Sequence, residues 1–308
     1  MTPTIETFRG QVVVVKLVDS HALTISGKVP RIATVRDEPY ECVTSPEDFV
    51  KKLKEEGLAA DVFTFMQELA DPTPRYQYQM EWDSHAVVPV TTYDQWWKKQ
   101  IDTKSRNMVR KAEKNGVELR VVQFDDSLVT GIMGIYNETP VRQGKKFWHF
   151  DKDFETIKLE NSTFPDRSQF IGAFYGSELI GFAKLVHSRN AASLMQILSK
   201  IAHRDKAPSN ALIAKSVEMC AEAGIQYLHY GVWSTGGLGM FKTSLGFVRH
   251  DVPRYFVPLN AWGRLALNAS LHHKWTEAVP QSWRVRLAPW RQKWNSFRYG
   301  AKASRERE

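Results

Sequence analysis

The run ASLMQILSKI (192–201), continued by AHRDKAPSNALIAK (202–215), decides how this chain is read. Its first ten residues are β-rich, and residues 209–223 carry a helical pattern that stops at Gly224. Between them lies a short turn holding His203, Arg204, Asp205 and Lys206. A strand that passes through a turn into a helix presents unpaired backbone N–H groups and the positive end of a helix dipole to an anion. Pro208 removes one donor, and Ala207 restricts the backbone where glycine would allow close approach. Arg204 and Lys206 supply charge in compensation.

Working outward, YLHYGVW (227–233) reads as a buried strand, 237–244 as a short helix and RYFVPL (254–259) as a last strand. Upstream, VELRVVQF (117–124) is a strand and 126–138 a helix. FIGAFYG (170–176) and ELIGFAKLVHS (178–188) are strands joined by the tight Gly176-Ser177 turn. Residues 93–115 read as one helix, with Trp97, Ile101, Met108 and Ala112 on an apolar stripe and Gly116 at its end. Arg106, Arg110 and Lys114, with Lys104 and Lys111 nearby, make a basic face that suits either phosphate or plain solvent. The first 92 residues show strands at 11–18 and 31–36, a helix from Ser45-Pro46 to Gly57, a short helix near 61–70, and an extended aromatic stretch at 75–90.

Two segments carry a resemblance. The turn at 204–211 sits where the GNAT acyltransferase superfamily has an Arg/Gln-x-x-Gly-x-Gly/Ala loop: Arg204 takes the first position, Ala207 and Ser209 replace the glycines, and Ala211 follows. The run FKTSLGF (241–247) is similar to the family's Phe-Tyr-x-x-x-Gly-Phe motif, with Lys242 in place of tyrosine. Together with the basic helix KSRNMVRKAEKNGV (104–117), they make Val117–Leu259 resemble the FemABX-like branch of that superfamily. The resemblance implies a mixed α+β fold: a GNAT-like central mixed sheet flanked by helices over 93–260. An N-terminal α/β extension over 1–92 and a basic helical tail over 261–308 complete it.

What the resemblance implies about activity is N-acyl transfer from acetyl-CoA or another acyl-CoA to a small-molecule or peptide amine by direct attack. Leu198, Arg204, Asp205, Lys206, Ala207, Ser209, Asn210 and Ala211 would then hold the co-substrate. The residues themselves suggest further roles. Glu138 is the candidate general base, and Arg142, Gln143 and His149 candidate acceptor contacts. His203 is a candidate proton shuttle and Lys242 a candidate oxyanion partner. His229 and Tyr230 alternate along one strand, so only one faces the cleft, and Tyr230 is retained. Each has a plainer reading: a helix C-terminus capped by Glu138 and Arg142, a packed core His149, a surface Lys242. The alternative activities are FemABX-like transfer from aminoacyl-tRNA, or a binding module without catalysis. Against the former, a doubled GNAT unit is not evident in the sequence.

Composition narrows the classes. The 308 residues are 43% hydrophobic and 25% charged, ordinary globular usage that excludes wholesale disorder. Residues 260–308 hold ten Lys or Arg against three acids, a net +7, which leaves the rest of the chain at +1. Trp283, Leu287, Trp290, Trp294 and Phe297 form an apolar stripe in that tail, so an anionic membrane surface is a candidate partner. Nucleic acid is expected only as tRNA in the alternative reading. Cys42 and Cys220 make no disulfide framework, and no His, Cys or carboxylate cluster has metal spacing; His272-His273 lack partners in sequence. No metal is expected. With no apolar run long enough for a leader or a membrane span, the expected location is cytoplasmic, peripheral to the inner membrane if the tail binds lipid.

Overall fold

The computed structural model describes residues 4–8, 11–19, 21–38 and 40–273. The amphipathic stripe of the tail lies outside the described residues. In chain order the elements are β1 (Thr4–Phe8), β2 (Gln11–Val18), β3 (His21–Ser26), β4 (Ile32–Val35), α1 (Pro46–Glu55), β5 (Val62–Met66) and β6 (Gln79–Pro89). Next come the one-turn α2 (Tyr93–Gln95), a π-helical turn Trp96–Gln100, α3 (Thr103–Lys114), β7 (Val117–Val122), α4 (Asp126–Tyr136), β8 (Val141–Arg142), β9 (Lys145–Lys146) and α5 (Phe154–Asn161). The rest are β10 (Ser168–Tyr175), β11 (Glu178–His187), β12 (Ala191–Ser199), a 3-10 turn Ile201–Lys206, α6 (Pro208–Glu222), β13 (Tyr227–Val232), α7 (Gly236–Ser244), β14 (Val248–Pro258) and α8 (Ala261–Asn268).

Two compact units interleave along the chain. Among the described residues, one holds those from Thr4 to Asp83, Gln143–Trp148 and those from Val252 to His273; the other holds Ser84–Arg142 and His149–Asp251. In the first, β1 to β4 form an antiparallel meander, α1 crosses over, and β5 runs parallel to β4 in the register Ala33↔Phe63. Strand β14 then pairs antiparallel with β5, Phe256 opposite Thr64. Every residue of β5 is buried, and Phe63, Phe65 and Tyr255 stack within a core that also takes Leu23, Phe49 and Leu53. The helix expected near 61–70 is therefore a strand. VFTFM is aromatic and β-branched, and burial on both faces erases the alternation that would have marked it.

In the second unit β7, β10, β11 and β12 are antiparallel neighbours in that order, α6 crosses over, and β13 runs parallel to β12. Strand β6 pairs antiparallel with β13, Val88 opposite Leu228. Each unit thus repeats one strand plan: four antiparallel neighbours, interrupted in the second unit by α4 and α5 after the first strand, then a helical crossover to a parallel fifth strand and a sixth strand brought from a distant part of the chain. The doubling that the sequence does not display is present in the topology.

The expected single helix over 93–115 breaks at Ile101, whose ψ is 138°. Asp102 stops it by capping a new helix, its carboxylate accepting from the Ser105 amide at 2.6 Å while its own N–H donates to the Ser244 carbonyl. Helices α3 and α6 pack together on one face of the second unit's sheet, burying Ala183, Leu185, Ala192, Leu194 and Leu228. The opposite face carries α4 and α5, where Phe182 meets the Tyr136 ring.

Candidate functional site

Strand β12 pairs with β13 over only three residues, Ala191↔Tyr227, Ala192↔Leu228 and Ser193↔His229. Beyond that point β12 stays on β11 as far as Gly181↔Ser199, with Met195 bulged out of register, while β13 turns away through Gly231 at φ 63°. The sheet therefore forks, and among the described residues no strand pairs with the edge of β12 from Leu194 to Ser199 that faces β13. An extended, amide-bearing ligand can lie there as a surrogate strand.

At the end of that edge the chain enters the 3-10 turn. Ile201, Ala202, Arg204 and Asp205 are exposed, and Ala207 is left-handed at φ 54°, a cost accepted where the family-like loop has glycine. The amides of Asn210 and Ala211 close on the Ala207 carbonyl, and the Ser209 and Ser199 hydroxyls meet at 2.9 Å. Lys206 pairs with Asp205 and lies over the Tyr175 ring. His203 faces the Glu178 carboxylate at 3.2 Å, which Lys200 also holds at 2.6 Å. Helix α3 packs beside this turn and α6, so its Lys104, Lys111 and Lys114, all exposed, add to the positive field.

The expected base and clamp have other duties. Glu138 accepts from the Ile201 amide at 2.7 Å, the Ala202 amide at 2.8 Å and Arg142 at 3.1 Å. Arg142 also donates to the carbonyls of Ser199 and Ile135. The pair ties the end of α4 to the start of the turn, and its carboxylate is occupied by donors. Gln143 is exposed, with a left-handed backbone. His149 is buried with its ring 4.1 Å from that of Tyr136, and burial pushes its pKa down to about 3, so it is neutral at physiological pH.

Lys242 is no surface lysine. Its side chain is buried, and the amine donates to the carbonyls of Tyr230 at 2.7 Å and Val232 at 2.8 Å, pinning the free end of β13. Burial lowers its pKa from the ordinary 10.5 to about 8. The native state thus sheds this proton before the unfolded chain does, and between pH 8 and 10.5 the unfolded state binds more protons. For this group alone, unfolding free energy rises with pH across that window, and the burial penalty is fully present below it. Chemical denaturation at pH 7.5 and pH 10 is expected to show wild type gaining on Lys242→Met as pH rises. Equal shifts in both proteins would refute the assignment. Tyr230 alternates to the helix α6 side against Phe247, and burial raises its phenol to about 12, so it keeps its proton.

On the other face lies a polar row of which only His229 stands out in the sequence, as the alternative to Tyr230. Lys184, fully buried, donates to the carbonyls of Asn161 and Thr163 and to the Thr163 hydroxyl. Tyr136 donates to Gln196 at 2.6 Å. Ser193 Oγ lies 3.0 Å from His229 Nδ1, and His229 Nε2 lies 3.0 Å from His85 Nδ1. Polar residues at inward strand positions, flanked by apolar ones, were the available signal. In the first unit, Glu81 is a partner the sequence did not reveal for His272 and His273, at 2.8 and 3.2 Å. Among the described residues no helix is long and apolar enough to cross a membrane.

No family model matches the chain, and no curated protein matches it in sequence. Its structure is similar to that of FemX, with TM-score 0.58 and 12% identity over 86% of this chain and 90% of that one. It is similar also to a C-terminal domain from Agrobacterium fabrum assigned to a lysylphosphatidylglycerol synthetase (TM-score 0.52, 15% identity, 84% and 88% covered). A third likeness is to L-PGS from Bacillus licheniformis (TM-score 0.51, 14% identity, 79% and 83% covered). With the meander, crossover helix and forked parallel pair, these place the chain among proteins of the GNAT fold.

Proposed function

We propose that this protein is an N-acyltransferase that moves an acyl group from acyl-CoA to an amine by direct attack. The observation that carries this reading is the fork between β12 and β13, which opens immediately after Ser193 and His229 and leads to the turn at 201–206. The donor's amide-bearing arm would lie along Leu194–Ser199, past Leu198. Its phosphates would sit at the turn 204–211, held more by Arg204 and Lys206 than by backbone amides, since Pro208 has none and two others are closed on Ala207. The amine attacks the acyl carbonyl carbon, the C–N bond forms and the C–S bond breaks. Tyr230, which burial keeps protonated, is the acid available to the leaving thiolate. Glu138, Arg142 and Lys242 act by positioning the turn and the free end of β13.

A second reading, transfer from an aminoacyl-tRNA, is favoured by the strand plan repeated in both units and by the basic face of α3. Thermal unfolding with and without acetyl-CoA separates the two. Ligand at a hundredfold excess over its dissociation constant is expected to add about 2.7 kcal/mol. Charged tRNA that binds with a steep salt dependence, while acetyl-CoA does nothing, would move the assignment to the second reading. Binding of neither would sink both.

A further inference from the structure

Three polar side chains cross the floor of the second unit's sheet at the closed end of the fork. Ser193 is 3% exposed, His229 1% and His85 4%. They come from three neighbouring strands, β12, β13 and β6, and they share one face because Ser193 is paired with His229 and His229 with Val87, two residues from His85. The contacts run in series: Ser193 Oγ to His229 Nδ1 at 3.0 Å, then His229 Nε2 to His85 Nδ1 at 3.0 Å. Their strand neighbours Ala192, Leu194, Leu228, Ala86 and Val88 are all apolar and buried. Burying three hydrogen-bonding groups in such a sheet is costly unless each is partnered, and a partnered chain behaves as a unit.

The geometry also restricts the protons. An imidazole nitrogen facing another at 3.0 Å requires one N–H and one lone pair, so the chain has two orientations that differ by moving every proton one place along it. Ser193 is the member at the fork, the last paired residue before β12 and β13 part. A serine hydroxyl that donates to a histidine, itself oriented by a second group, can give its proton to the imidazole as it takes one from a group beside it.

We propose that Ser193, His229 and His85 are the route by which the acceptor amine loses its proton, an inference that rests on the acyl-transfer reading above. As the C–N bond forms, the ammonium proton passes to Ser193 Oγ and the Ser193 proton passes to His229 Nδ1. The His229 Nε2 proton moves to His85 Nδ1, leaving His85 as imidazolium. The pair of electrons from the broken C–S bond leaves on the thiolate, and one proton has moved inward by three places. Ser193 touches the amine; His229 and His85 act through it.

The test compares the full chain with Ser193→Ala and His85→Gln, using the acyl donor and amine that support turnover in wild type. The expected result is a fall in kcat of about 100-fold for Ser193→Ala, with KM for donor and amine changed less than about 2-fold. The solvent deuterium isotope effect on kcat is expected to change in both variants, and Ser193→Thr, which restores the hydroxyl, is expected to recover most of the rate. Thermal unfolding of each variant guards against a folding defect, and a loss of kcat that tracks lost folded protein would overturn the proposal. So would unchanged kcat in Ser193→Ala, a change confined to KM, or an acyl group trapped covalently on Ser193. If wild type turns over its donor and the variants match it, the route alone falls. If wild type turns over no acyl donor, the acyl-transfer reading falls and takes the route with it.

Discussion

Trp96→Ala is expected to cost the second unit about 4–6 kcal/mol, a large part of what holds an ordinary domain folded. The indole is fully buried among Tyr93 and Trp97, and its Nε1–H donates to the Leu245 carbonyl at 2.9 Å. Truncation removes a large apolar body, which alone costs about 3–5 kcal/mol, and leaves that carbonyl without its donor for about 1 kcal/mol more. The damage is not local to the π-helical turn. Leu245 and Gly246 belong to the run after α7, and Gly246 is held at φ 85° with its Cα pressed against this surface; an added Cβ would lie 3.1 Å from the indole nitrogen. Losing the indole frees the segment that carries Lys242, and with it the clamp on β13. A melting temperature lower by about 10–20 °C is the measurement to make. Trp96→Phe, which keeps most of the volume, is expected to lose about 1–2 kcal/mol. A Trp96→Ala protein as stable as wild type would show that the indole does not anchor this run.

Glu138→Ala is the second large effect, and it separates positioning from chemistry. The carboxylate holds two successive amides and a guanidinium, so its removal takes the acceptor from the Ile201 and Ala202 N–H groups. It also leaves Arg142 with only its carbonyl contacts to Ser199 and Ile135 and no balancing charge from Glu138. Hydrogen bonds to a charged group are worth about 1.5–3 kcal/mol each in such settings, and a net loss of about 2–4 kcal/mol is expected. The turn at 201–206 loses its fixed start, so affinity for acyl-CoA is expected to fall about 10- to 100-fold by calorimetry. Glu138→Gln, which keeps an acceptor oxygen but no charge, is expected to fall between. If Glu138→Ala binds the donor as wild type does and loses only kcat, the carboxylate is a base after all and the positioning role is wrong.

How much of this was legible beforehand follows from the range of the interactions involved. The strand, turn and helix at 192–223 are readable because their signals are local: a β-rich run, a helical pattern over 209–223 and a glycine stop. The tight Gly176 hairpin was readable for the same reason. Strand β5 is not legible in the sequence, because a segment buried on both faces has no alternation to display. The break at Ile101 has one local part, the Asp102 cap on the Ser105 amide, which an apolar stripe running on past it hides; its other part is the contact with Ser244, well over a hundred residues away.

The site divides in the same way. Arg204, Lys206 and Lys242 stand out in sequence because charge and motif position are visible one residue at a time. That Lys242 is spent on two carbonyls, or that Glu138 is already holding amides, depends on which atoms lie within about 3 Å, which no spacing along the chain encodes. Ser193, His229 and His85 are separated by 36 and 144 residues and carry no motif. Only strand register brings them to one face.

The amino-acid order by itself determined the fold class, the location of the crossover turn and the near-neutral body with a basic end, since composition and short-range periodicity suffice for these. The tertiary structure alone decided that the plan is built twice, that the parallel pair parts after three residues, and which polar groups meet at that parting. Strand pairing joins segments that the chain keeps far apart, and its free energy comes from contacts that exist only once those segments have met.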